Sequence, residues 1–100
     1  MESLSVNGVE FIAKPVEPTG TRAVVVVDRG WIFAGDVRRE DGRIYLRRAV
    51  LVDRWENIGF HGVIANPTSD KVLLRKMSQP VEIPAGAEIF SVPVPDDWGL

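Results

Sequence analysis

The residues best suited to chemistry lie in one stretch, DRWENIGFHGVIANP, residues 53–67. It contains His61, the only histidine, and two carboxylates that could orient it, Asp53 and Glu56. A catalytic histidine also needs a nucleophile or a substrate proton within reach, and a metal-binding histidine needs further ligands at a suitable spacing. The stretch shows neither pattern, and the chain has no cysteine. The sequence therefore predicts no catalytic residue, no metal site and no cofactor.

A second use of this stretch is the binding of a small anion, such as a nucleotide signal. Guanidinium groups hold phosphate through paired N–H donors, and an indole ring offers a stacking surface. The side chains that would line such a site are those of Arg47, Arg54, Trp55, Asn57 and His61. The alternative is a structural bend, because Gly59 and Gly62 permit backbone angles that other residues avoid. Trp31 and Trp55 themselves lie in strand-like segments, a position typical of the core.

Arginine is frequent in the middle of the chain, with six between residues 38 and 54. Four acids lie among or beside them, which predicts cross-strand ion pairs on an exposed or subunit-facing sheet. Residues 77–100, by contrast, contain four acids and no base. Copies of the chain could associate head to tail through these surfaces, and a clasp within one chain fits equally well. The residues predicted to take part are Arg38, Arg43, Asp96, Asp97 and Trp98.

The composition is typical of a soluble globular protein, with 45% hydrophobic and 26% charged residues. It predicts a single domain over residues 1–100, with a loop near residues 15–22 and a tail at residues 93–100. The formal net charge of -2 is too small to predict nucleic-acid binding. No apolar run approaches the roughly 18–20 residues that cross a bilayer, so no membrane contact is expected. The first residues also lack the features of a signal peptide.

Strand patterns dominate the first half of the chain. Residues 8–14 alternate between apolar and polar side chains, and residues 22–28 form a short β-branched run typical of a strand covered on both faces. Residues 31–48 form a predicted hairpin around Asp41 and Gly42, because a two-residue turn of this type needs positive φ at both central positions.

The second half continues the same pattern. Further strands are predicted at residues 49–55, at residues 71–77 and, as two strands around a turn, within residues 81–94. Pro93 and Pro95 cannot donate hydrogen bonds to a neighbouring strand, so the last of these is expected to be an edge strand or to leave the sheet. The only helix candidate is one or two turns within residues 57–66. The sequence thus predicts an all-β fold, a small antiparallel barrel or sandwich of about six to eight short strands.

Several short motifs also occur in a fixed order over residues 24–99. They are Trp31 with Gly35, Gly42, Arg54-Trp55 with Gly62, and Ile83-Pro84. This order resembles a group of small phage and prophage proteins of unknown function. The resemblance covers most of the chain but not the residues before Val24. It implies a viral or prophage setting and no enzymatic activity.

The resemblance, the β-rich pattern and the opposed charge regions predict a non-enzymatic structural or assembly protein, such as a decoration protein or an oligomeric β module. Its partners would be further copies of itself or phage particle proteins, in the virion or the host cytoplasm. The alternative is a host-directed binding module that sequesters a small anionic ligand, such as a nucleotide signal, or binds a host protein. Nucleic acid is not expected as a partner.

Overall fold

The computed structural model describes residues 20–100, which form an antiparallel six-stranded sheet and one short helix. The mainly-β fold predicted from the sequence is confirmed. The predicted strand at residues 8–14 and most of the loop near residues 15–22 lie outside the described residues. The strands are β1 (Arg22–Val27), β2 (Trp31–Glu40), β3 (Arg43–Trp55), β4 (Val72–Lys76), β5 (Val81–Pro84) and β6 (Glu88–Pro93), and the helix is α1 (Gly59–Ala65).

The hairpin of β2 and β3 turns at the predicted dipeptide. Asp41 and Gly42 have φ angles of 52° and 75°, and Glu40 pairs directly with Arg43 on the returning strand. Positive φ at both central residues gives the turn the same twist as the strands that it joins. The hairpin prediction is therefore confirmed, and so is the short helix, which lies within residues 57–66.

The prediction of a separate strand at residues 49–55 is wrong, because β3 runs without interruption through 13 residues. The pairing between β2 and β3 shifts partway along it. Ala34 is paired with Val50, but Asp36 is paired with Arg47, so β3 contains one residue more than β2 over this interval. Such an extra residue is a β-bulge, which lets a long strand bend without ending.

The bulge also exchanges the two faces of β3. Arg48 lies in it with a φ of 49°, and side chains beyond a one-residue offset point to the opposite side of the sheet. Ile44 and Leu46 consequently pack on one face, whereas Val50 and Val52 pack on the other. A single strand thereby contributes to two cores.

The sheet is covered on both faces. On the inner face, the edge strand β5 contributes Ile83 to the buried side chains, and on the outer face α1 and the tail cover the sheet. This arrangement buries most of β1 from both sides, as its continuous apolar sequence predicted. The buried residues of the inner face are Val25, Val27, Ile44, Leu46, Ala49 and Ile83. Those of the outer face are Val24, Ile32, Ala34, Val50, Val52, Val63, Val94 and Trp98.

β5 and β6 lie at opposite edges of the sheet, although only the turn Ala85–Ala87 separates them along the chain. β5 pairs with β3 and β6 pairs with β1, so a flat sheet would hold them about 19 Å apart. The link spans at most about 14 Å. The sheet therefore curls around its inner face, and Arg39 of β2 reaches Glu88 of β6 with two hydrogen bonds of 2.7 and 2.9 Å. The sheet remains open.

Gly35 offers a test of the packing opposite the bulge. A Cβ atom at Gly35 would lie 2.8 Å from Leu46 Cβ and 3.0 Å from the backbone oxygen of Arg47. We expect Gly35→Ala to lower the free energy of unfolding by about 1–3 kcal/mol, the usual cost of overpacking. Gly86→Ala is the matched control, because a Cβ there would meet no atom within 4 Å. Equal midpoints for the two variants in urea unfolding would contradict this account.

Candidate functional site

An apolar groove opens on the inner face, where β2 begins and β5 ends. Its volume is about 310 Å³. Glu82 is the only charged residue in its lining, and its carboxylate lies 3.2 Å from the guanidinium of Arg43. The groove is therefore suited to an apolar group rather than to a charged ligand. Its apolar lining includes Val27, Trp31, Phe33, Ile83, Pro84 and Ala87.

Trp31 and Phe33 form the aromatic wall of this groove. Because side chains alternate along a strand, the two residues lie on the same face of β2. Their rings are stacked, with centroids 6.4 Å apart and an interplanar angle of 13°. Trp31 nevertheless remains 54% exposed. The site thus presents a flat aromatic surface to any molecule that enters the groove.

The prediction that Trp31 lies in the core is wrong, and the pairing of β2 explains why. Trp31 pairs with Val27 of β1, but the pairing with β3 begins only at Phe33. One side of Trp31 therefore has no neighbouring strand among the described residues. The sequence held one indication of this exposure, since Trp31 directly follows the tight turn Asp28–Gly30 and is the first residue of its strand.

The residues predicted to bind an anion are spread along β3 and beyond it. Arg47 lies opposite Asp36, whereas Arg54 and Trp55 lie at the far end of the same strand. Arg54 follows Arg47 by seven positions, which corresponds to about 23 Å of strand. The structure therefore does not bring Arg47 together with the other four residues.

The other members of this predicted set lie around the start of α1. Trp55 is half-buried and packs against the outer-face core. Asn57 has a φ of 59° at the bend before the helix, and His61 is exposed on α1. The cavities described in this section are lined by other residues.

Two of the predicted interface residues form ion pairs within the sheet. Arg38 pairs with Glu40, and its guanidinium carbon lies 4.3 Å from the centre of the Tyr45 ring. Arg43 pairs with Glu82 on β5. Both arginines are exposed, and neither of these pairs involves the acidic tail. The pair of Arg43 is one of the predicted cross-strand ion pairs, whereas that of Arg38 lies within β2.

The tail instead folds back onto its own chain. Trp98 is only 4% exposed, and its indole nitrogen donates a hydrogen bond of 3.0 Å to the carbonyl oxygen of Ile64 on α1. Arg22 Nε donates to the carbonyl oxygen of Trp98 at 2.7 Å, and Arg48 Nη2 donates to that of Asp96 at 2.8 Å. The contacts of Trp98 therefore agree with the predicted clasp of the tail within one chain. Asp97 is exposed beside it.

Asp36 connects the two arginines that hold the tail. Its carboxylate accepts hydrogen bonds from Arg48 Nε at 2.7 Å, from Arg48 Nη2 at 3.0 Å and from Arg22 Nη1 at 3.2 Å. The hydrogen bond from Arg48 is the main reason that the pKa of Asp36 lies below its ordinary value, and Arg22 lowers it further. We call Arg22, Asp36 and Arg48 the tail clasp.

Arg22 is the most constrained member of the tail clasp. It is 1% exposed, and burial lowers the pKa of its guanidinium, although arginine stays charged in proteins. Its Nη2 atom has no hydrogen-bond partner among the described residues. A buried charge depends strongly on the partners that remain. Sequence reasoning missed this role because Arg22 stands alone before an apolar strand.

A larger cavity of about 630 Å³ lies between α1 and the tail. Ile64 and Pro67 line one side of it, and Pro95, Trp98 and Leu100 line the other. Much of this wall belongs to the tail, so the shape of the cavity depends on the tail clasp. Its lining is mainly apolar and contains no histidine.

Two further properties concern only residues 20–100. Within them, no three histidine, aspartate or glutamate side chains come close enough to hold a metal ion. The seven-residue α1 is the only α-helix there, and no helix of this part of the chain could cross a membrane.

Comparisons with known proteins identify no relative. A scan against protein-family models, a search of curated proteins and a search of solved structures each found no match. The resemblance to small phage proteins therefore remains a prediction. The geometry of the described residues is the main guide to function.

The tail clasp gives a direct stability prediction. Asp36→Asn removes the carboxylate that neutralises the buried guanidinium of Arg22, so we expect the free energy of unfolding to fall by about 3 kcal/mol. Glu40→Gln is the control, because the pair of Glu40 with Arg38 is 57% exposed on both sides and contributes about 0–1 kcal/mol. Urea unfolding followed by tryptophan fluorescence measures both. A similar loss in the two variants would refute the role of Asp36.

The lowered pKa values of two carboxyl groups, those of Asp36 and Glu88, predict that the folded protein is sensitive to acid. Hydrogen bonds from Arg48 and Arg39 hold the pKa values of Asp36 and Glu88 below their ordinary values of 3.8 and 4.5. A lowered pKa means that the folded state binds the proton less readily than the unfolded state. The stabilisation is therefore complete above the ordinary pKa and is lost as the pH falls through the lowered one.

We expect the melting temperature to decrease steeply below about pH 4. The decrease should be shallower in a variant that carries both Asp36→Asn and Glu88→Gln, since these positions no longer titrate. Melting curves between pH 6 and pH 2 provide the measurement. Equal slopes in the two proteins would show that other groups control acid unfolding.

Proposed function

We propose that this protein is a non-enzymatic structural or assembly component of phage type, which contacts a neighbouring protein subunit through the inner-face groove. The observation that carries this proposal is the exposed Trp31–Phe33 stack. Tryptophan is the residue type most characteristic of interface hot spots, because it buries a large rigid surface at a small cost in side-chain entropy.

The surroundings of the stack support contact with a protein. Large exposed apolar side chains concentrate at one end of the sheet, where Trp31 of β2 lies across Val27 from the start of β6. There Ile89 is 61% exposed, two residues after Ala87 of the groove lining. Contiguous apolar patches of this kind usually mark binding surfaces, whereas scattered exposed residues do not.

The phage setting is supported by the resemblance, and two of its residues now have physical roles. Trp31 forms the aromatic wall of the groove, and Gly35 packs against Leu46 opposite the bulge, where a larger residue would collide. The resemblance thus includes one residue that shapes the fold and one that shapes the proposed contact surface. The virion or the host cytoplasm is the proposed location.

The anion-binding alternative has less support from the geometry. Ion pairs with carboxylates occupy many of the guanidinium groups that would hold a phosphate. The arginines in such pairs are Arg22, Arg38, Arg39, Arg43, Arg48 and Arg75. Arg47 and Arg54 lie far apart on β3, and the groove itself is apolar. A nucleotide-dependent thermal shift that Arg54→Ala abolishes would favour this alternative over assembly.

The assembly proposal is tested by incorporation into particles. Phage particles are purified from a host that expresses the protein, and its copy number per particle is measured by quantitative mass spectrometry. We expect Trp31→Ser to reduce incorporation at least tenfold, because a hot-spot tryptophan contributes about 2 kcal/mol or more to binding. Stability should change little, since the Trp31 side chain is largely exposed.

Met77→Ser is the matched control, because Met77 is 40% exposed but does not line the groove. It should be incorporated like the wild type. Absence of the wild-type protein from purified particles would overturn the proposal. Equal incorporation of Trp31→Ser and wild type would show that the groove is not the surface that contacts the neighbouring subunit.

A further inference from the structure

β6 contains an irregularity next to the groove. Val26 of β1 pairs with Phe90, but the adjacent Val27 pairs with Glu88. Ile89 is therefore an extra residue in a bulge at the edge of the sheet. Bulges at edges often redirect a side chain as well as interrupting the pairing.

The two neighbours of Ile89 make contacts on opposite faces of the sheet. Glu88 reaches Arg39 on the inner face. Phe90 packs edge-on against Phe60 of α1 on the outer face, with ring centroids 5.8 Å apart. Ile89 lies between these two residues at the sheet edge, and it is 61% exposed. We call this side chain the knob.

The knob and the groove belong to the same end of the molecule. Ala87 lines the groove and precedes the knob by only two residues. The knob is apolar and branched, and the groove of about 310 Å³ has room for such a side chain. A surface that carries a knob beside a matching groove is self-complementary, because a twofold axis between them inserts each knob into the opposite groove.

We propose that the occupant of the groove is the Ile89 side chain of a second copy of this chain, in a twofold-symmetric dimer. This inference deepens the proposed function, on which it rests, by naming the neighbouring subunit. It uses both unusual features of this end of the sheet, the exposed aromatic wall and the exposed apolar knob. Other proteins, or another part of the same chain, are the competing occupants.

The charges around this surface favour a second copy. Identical surfaces that meet face to face repel each other when they carry a net charge of one sign. The rim here is balanced, with three acids and three arginines. The acids are Asp28, Glu82 and Glu88, and the arginines are Arg29, Arg39 and Arg43. Two copies can therefore approach without electrostatic repulsion.

The available area sets the strength of the contact. A half-exposed aromatic side chain leaves about 100 Å² to be buried. Trp31 and Ile89 together bring on the order of 200 Å² per copy, which is less than the roughly 800 Å² per partner of a standard interface. The dimer is therefore weak, and its population depends on protein concentration.

Sedimentation velocity of the full chain between about 5 µM and 1 mM tests the dimer, a range suited to micromolar affinities. The wild type should shift from monomer to dimer across this range. Trp31→Ser and Ile89→Asp should each raise the dissociation constant at least tenfold, whereas Met77→Asp should leave it unchanged. A wild type that stays monomeric at 1 mM, or an Ile89→Asp variant that dimerises normally, would overturn the inference.

An equimolar mixture of the two weakened variants tests the symmetry. Trp31→Ser retains its knob and Ile89→Asp retains its groove, so the mixed dimer keeps one of two knob-in-groove contacts. The mixture should therefore associate more strongly than either variant alone. If it does not, the twofold arrangement is wrong.

Cross-linking gives a second measurement, which reports the proximity of two positions in the dimer. Because the chain has no cysteine, a disulfide between Ile89→Cys and Glu82→Cys variants in a mixture must join two copies through the knob and the groove. A heterodimeric disulfide that forms faster than a control bond between Ile89→Cys and Met77→Cys supports the inference, and equal rates contradict it.

The results separate this inference from the proposed function. A monomeric wild type whose Trp31→Ser variant is lost from particles would leave the assembly function intact and show that the groove binds a different protein. A wild-type dimer that is absent from particles would confirm the contact between copies and refute the assembly function.

Discussion

The buried guanidinium of Arg22 is the constraint on which the rest of the structure depends. A charge with 1% exposure must keep its partners, and these partners come from two separate parts of the chain, Asp36 on β2 and the Trp98 carbonyl in the tail. The hydrogen bond that Arg22 donates to the Trp98 carbonyl oxygen holds the tail on the outer face. There Trp98 and Val94 complete the core against α1.

The bulge of β3 and the tail clasp are connected because they share Arg48. Arg48 occupies the extra position of the bulge, with a φ of 49°, and from there its guanidinium reaches both Asp36 and the backbone of Asp96. The same offset sends Ile44 and Val50 to opposite faces. One irregular residue thus distributes the apolar side chains of β3 between two cores and helps to fix the tail that covers the second core.

Local chemistry allowed the sequence to predict the hairpin at Asp41-Gly42, the doubly covered β1 and the helix within residues 57–66. Features that depend on distant partners were missed. The continuity of β3 depends on a bulge without a glycine, and the exposure of Trp31 depends on where pairing with β3 begins. The predicted anion site grouped Arg47 with Arg54 because they are close in sequence, although an extended strand separates them by about 23 Å.

The short link Ala85–Ala87 has a consequence for the order of events during synthesis. β1 lies in the interior of the sheet, yet one of its two neighbours, β6, follows every other described strand along the chain. While the ribosome is still translating residues before Glu88, a nascent chain has already displayed the apolar β1 with one side unpaired. The link Ala85–Ala87 then places β6 across the curled sheet, so the first of the described strands is protected only when the last of them has been made.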